Sequence, residues 1–115
     1  MRIWDCHCHA RGDETGEQVL RAMDAARIDR INLFSRYPEA GTRQDARAAF
    51  DHIAGVQAVD PERIWGLAWA NPRVPGIVEE VGHAIVDGRL HGIKMIPDHW
   101  APTDEMLFPL YEKAR

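Results

Sequence analysis

The chain has 115 residues, enough for one modest domain, and its 45% hydrophobic and 28% charged residues form an ordinary globular composition that argues against disorder. A formal net charge of -4 and a pI near 5.8, with no long basic run, argue against a sequence-independent nucleic-acid binder. There is neither a basic start followed by an apolar run nor any stretch of eighteen apolar residues, so the expectation is a soluble, cytoplasmic protein with no membrane partner.

The first predicted element is a strand ending in Trp4-Asp5-Cys6-His7-Cys8-His9. Strand side chains alternate, which places Ile3, Asp5, His7 and His9 on one face and Trp4, Cys6 and Cys8 on the other. Two imidazoles held on one face are a ready pair of ligands for a divalent ion, zinc first, with manganese and iron also suited to imidazole. Asp5, deeper on the same face, is expected to be a further ligand or to orient a histidine from behind. Cys6 and Cys8 lie too far apart on a strand to bridge, and both read as small buried hydrophobes in a reducing compartment.

Asp13 to Arg27 turns helical, with Thr15 and Gln18 at capping-box spacing and Val19, Leu20, Met23 and Ala26 on one face. Arg30 to Ser35 is a second strand, closed by the turn Tyr37-Pro38-Glu39-Ala40-Gly41. Thr42 to Val59 is a second helix with Ala46, Ala49, Phe50, Ile53 and Val56 inward, stopped by Pro61. Ile64 to Ala70 is a third strand, where Trp65, Leu67 and Trp69 share a face as packing residues. Gly76 to Val86 is a third helix with Ile77, Val81 and Ile85 inward, and Gly92 to Ile96 a fourth strand. A last helix follows Asp104, carrying Met106, Leu107, Leu110 and Tyr111, its regular part delayed by Pro109.

Strand and helix in alternation, four times over, imply βαβ units and a parallel sheet. An open flavodoxin-like sheet would need a phosphate-binding glycine turn after the first strand, where His-x-His stands instead. The fold class expected is α/β, the first four βα units of a (β/α)8 barrel, although a whole barrel takes about 250 residues.

At this point the chain resembles the amidohydrolase superfamily, in its amidohydrolase-related branch of metal-dependent barrel hydrolases and decarboxylases. Asp5-Cys6-His7-Cys8-His9 is similar to that family's first-strand metal motif, Gly92-Ile93-Lys94-Met95-Ile96-Pro97 to its fourth strand, and the segment from Asp104 through Pro109 to Ala114 to the helix after it. The resemblance implies His7 and His9 as metal ligands, while the family's ligands after the fifth, sixth and eighth strands have no counterpart here. Residues 1–115 are accordingly expected to be the N-terminal half of one barrel domain in a truncated chain. Such a half-barrel leaves two strand edges and its inner face uncovered, and two copies pairing as a homo-oligomer would cover them.

Lys94, flanked by Ile93 and Met95, is expected to point into the barrel. In dinuclear members of the superfamily a fourth-strand lysine is carboxylated and bridges two metals, whereas mononuclear members lack the bridge, so the resemblance leaves Lys94 either as that bridge or as a lysine reaching an acidic neighbour or the barrel mouth. His99 and Trp100 follow the fourth strand on the side where barrels carry their active-site loops and are candidates for substrate contact. Arg11 and Asp13 stand near the mouth, whereas His52, His83 and His91 read as structural or exposed. The activity implied is hydrolysis of a small organic substrate by a metal-activated water, with decarboxylation by a related enzyme as the alternative. A TatD-type deoxyribonuclease also opens on Asp-x-His-x-His but favours an acidic ligand near the fourth strand, where this chain has Lys94. A non-catalytic half-barrel acting in assembly is the remaining reading.

Overall fold

The computed structural model describes all residues from Met1 to Arg115. Four strands, β1 (Trp4–His9), β2 (Arg30–Phe34), β3 (Ile64–Trp69) and β4 (Gly92–Lys94), alternate with helices α1 (Gly16–Ala26), α2 (Arg43–Ala58), α3 (Ile77–Val86) and α4 (Phe108–Ala114). The strands pair in parallel in their chain order, so the sheet is open, with β1 and β4 at its edges. The α/β expectation holds as a four-stranded parallel sheet; no barrel closes. No helix is long and apolar enough to cross a membrane.

The apolar patterns pack as their periods demand. Ile31 and Leu33 from β2, with Ile64 and Ala68 from β3, are buried against Ala46, Ala49, Phe50, Ile53 and Val56 of α2 and against Ile77 and Val81 of α3. Leu107 and Leu110 close the core from the chain's end. Residues of opposite parity, among them Trp65, Leu67 and Trp69, lie on a face that is only half-buried. The capping box forms as expected, Gln18 N donating to Thr15 Oγ1 and Thr15 N to Gln18 Oε1.

Three expectations need correction. β1 carries a bulge between Asp5 and Cys8: Asp5 pairs with Ile31 but Cys8 with Leu33, so one extra residue sits in β1. The extra residue reverses the alternation, so Asp5 and Cys8 share a parity with Ile31 and Leu33 on the helix side. Trp4 joins the histidines' face, donating from its indole to Asn32 Oδ1 at 3.2 Å and packing edge-on against Trp65 at 4.8 Å. Cys6 is exposed, against expectation, whereas Cys8 is half-buried and packs against the core. Finally, β4 stops at Lys94, short of Ile96, and the last helix begins as a 3₁₀ turn over Glu105–Leu107 that leaves Met106 exposed, because Pro109 occupies the first turn of α4 and cannot donate.

Candidate metal centre

β1 and β4 are opposite edges, yet their side chains meet over the half-buried face. His7 Nε2 and His9 Nε2 lie 3.1 Å apart, and Lys94 Nζ stands 3.0 Å from the first and 2.8 Å from the second. Phe34 and Trp69 form the floor: the His7 and His9 rings pack on Phe34 at 5.0 and 5.3 Å, and Lys94 Nζ sits 4.2 Å above it. Trp69 adds a wall, with its ring 4.7 Å from that of His9 and 4.8 Å from Lys94 Nζ.

Three basic groups crowd together without an acid among them. Burial lowers the pKa of Lys94; burial, then the charges of Lys94 and His7, lower that of His9. The cluster therefore disfavours full protonation and suits a partner that accepts lone pairs or carries negative charge. Metal–imidazole bonds of about 2.0–2.1 Å put two adjacent ligand nitrogens roughly 2.9–3.4 Å apart between right-angle and tetrahedral geometry. The observed Nε2 separation of 3.1 Å fits that range. No group of three His, Cys, Asp or Glu side chains that would hold an ion exists in the chain, so a metal here has two protein imidazoles and needs further donors.

The remaining sequence candidates fall in different places. Asp5 faces away from the imidazoles, and its carboxylate accepts from His7 N at 3.0 Å, fixing the bulge that carries the motif. The His99 side chain is 91% exposed and lies beside Asp98 at 3.4 Å. Trp100 is half-buried and lines a cleft together with Trp69. Arg11 is exposed and paired with Asp13 at 3.5 Å. His83 lies between Asp87 at 2.7 Å and Asp51 at 3.2 Å. His91 stacks on Trp65 and hydrogen-bonds Gln57, and His52 bonds the Glu14 carbonyl.

Two features escaped the sequence. Glu14 binds the backbone N–H groups of Arg11, Gly12 and Asp13, at 2.9, 2.8 and 3.0 Å, and so holds the loop after β1. Burial raises its pKa, but these hydrogen bonds outweigh burial and leave it lowered. The three-residue spacing to Arg11 is the only sequence signal for this. Tyr37 and Trp69 read as turn and packing residues, yet their rings meet at 5.0 Å above the sheet; a short apolar strand does not say which of its faces will stay open.

No family model and no curated protein matches the sequence. Among solved structures, the chain is similar to 5-carboxyvanillate decarboxylase LigW from Sphingomonas paucimobilis, with a TM-score of 0.71 and 21% sequence identity. The match covers 98% of this chain and 48% of that one, so the chain spans about half the length of this relative. The shared feature is the fold.

Proposed function

We propose that the chain belongs to the amidohydrolase superfamily and contributes the first two ligands of a divalent-metal site, zinc first, in an enzyme that hydrolyses a small organic substrate. The observation that carries this reading is the convergence of His7 and His9 from one edge strand with Lys94 from the other at one point. A bound ion supplies a water of lowered pKa and polarises a carbonyl or phosphoryl oxygen. His7 and His9 offer their Nε2 lone pairs, held in register by Asp5 at the bulge. Phe34 and Trp69 exclude water from one side and strengthen every charge interaction above them. Lys94 is the side chain that carboxylation on Nζ would convert from a competing cation into an anion facing both imidazoles.

The test is zinc binding by equilibrium dialysis on the wild type, His7→Ala and His9→Ala. Each variant is expected to lose at least about tenfold in affinity. Equal binding by all three would overturn the reading. For Lys94, intact mass under native conditions is expected to show the added mass of one carbon dioxide, absent in Lys94→Met; a wild type without the adduct while zinc is bound removes the carboxylated bridge. A related decarboxylase is the second reading, favoured by the activity for which the structural relative is named. Both chemistries would use the same imidazole pair.

A further inference from the structure

His9 and Lys94 stand at the C-terminal ends of β1 and β4, and the opposite rim of the sheet carries a cleft of its own. It measures about 520 Å3 and lies between the segments that lead into β1, β2 and β3. Arg30 opens β2 and pairs with Trp4, while Phe34 closes the same strand and pairs with His9. Roughly 13 Å of β2 therefore separates this cleft from the imidazoles.

Three contacts fix the Arg30 guanidinium. Its Nε donates to the Glu62 carbonyl at 2.9 Å, and its Cζ lies 5.0 Å from the Trp4 ring and 4.6 Å from the Trp65 ring. Both indoles are themselves held, Trp4 by its bond to Asn32 and Trp65 by the His91 ring stacked on it at 4.5 Å. The terminal Nη1 and Nη2 have no hydrogen-bond or ion-pair partner. Their charge is felt nearby: burial, then the charge of Arg30, lowers the pKa of His91.

The neighbouring charges do not neutralise this group. Arg63 is engaged with Asp24 at 2.9 Å and with the carbonyls of Asp29 and Ile28 at 3.2 and 2.9 Å. Asp29 Oδ2 accepts from Ile3 N at 2.6 Å. Arg2 and Glu62 line the cleft as exposed side chains. Three arginines thus meet two carboxylates in the lining, an excess of one positive charge. That balance admits one negative charge, whereas a second would be repelled by Asp29 and Glu62. A guanidinium held flat offers two parallel N–H donors that match the two oxygens of a carboxylate, and the indoles have already removed its rotamer freedom.

We propose that this rim is a carboxylate-binding site: Arg30 takes a small monocarboxylate through both Nη groups, with Arg2 beside it and the carbon tail against Ile3 and Trp4. The site is independent of the imidazole cluster and of any metal held there.

The probes are propionate, its neutral isostere propionamide and inorganic phosphate, titrated into the metal-free full chain while NMR follows the indole N–H and His91 ring signals. Propionate is expected to shift Trp4 and Trp65, to leave Trp69 in place, and to bind about tenfold tighter than propionamide. Phosphate is expected to bind about fivefold weaker than propionate, because its added charge meets Asp29 and Glu62. Occupancy neutralises the guanidinium, so the His91 pKa should rise as propionate saturates. Arg30→Lys keeps the charge without the fork and should lose about tenfold in propionate affinity. Equal affinities for propionate and propionamide overturn the site on the wild type alone, whatever the variant's fold. Shifts confined to Trp69 would move the carboxylate to the imidazole cluster and overturn it as well. Tighter binding of phosphate overturns the monocarboxylate class, and undiminished binding by Arg30→Lys overturns the bidentate fork.

Discussion

Glu80 links the stability of the fold to pH through a buried carboxylate shared by two arginines. It is 2% exposed on α3, where Arg43 and Arg47 of α2 both pair with it. Burial pushes its carboxyl up, and the Arg47 and Arg43 hydrogen bonds and charges more than reverse this, leaving it below the ordinary 4.5. A depressed pKa stabilises the fold above that ordinary value, and the contribution disappears as pH falls through the lower folded value. On acidification from about pH 6 to about pH 3, the wild-type melting temperature is expected to fall further than that of Glu80→Gln. At neutral pH, Glu80→Gln should itself cost about 1–2 kcal/mol, read by urea unfolding, because both arginines stay partly solvated. Glu14→Ala should free three backbone donors in the loop after β1, raising amide exchange at Arg11, Gly12 and Asp13 while leaving α2 protected.

Among the elements, those with a clean period were legible. α1 and α2 start where Thr15 and Thr42 accept from Gln18 N and Asp45 N, and Thr15→Ala is expected to cost about 1 kcal/mol in a denaturant melt. β3 alternates buried and half-buried along its length, as its residues imply. β1 was not legible, because a bulge leaves no mark in a hydrophobic pattern and only the partner strand reveals the extra residue. That single residue separated Asp5 from the histidines while keeping His7 and His9 together, so the imidazole pair was readable and its surroundings were not. Gly66 is a second hidden constraint: a Cβ there would stand 2.8 Å from Leu90 Cδ2 and 3.2 Å from Gln57 Oε1. The Gln57 carboxamide accepts from Gly66 N at 2.7 Å and so needs that space. Gly66→Ala should destabilise by about 1–3 kcal/mol in urea unfolding, the range for overpacked sites.

For the whole molecule, two unpaired edges and a half-covered face bearing Trp4, Trp65, Leu67 and Trp69 favour self-association. Sedimentation velocity across a concentration series is expected to show a rising mean mass, and a single monomer species throughout would contradict this. The same face holds a mechanical relation. β1 and β4 are three strand spacings apart, roughly 14 Å along a flat sheet, yet Lys94 touches both histidines across that gap. The cluster is thus a chord drawn across an arc, closed by side chains that reach in from both rims. A ligand that engages all three groups only in this curled arrangement is expected to hold the two rims together.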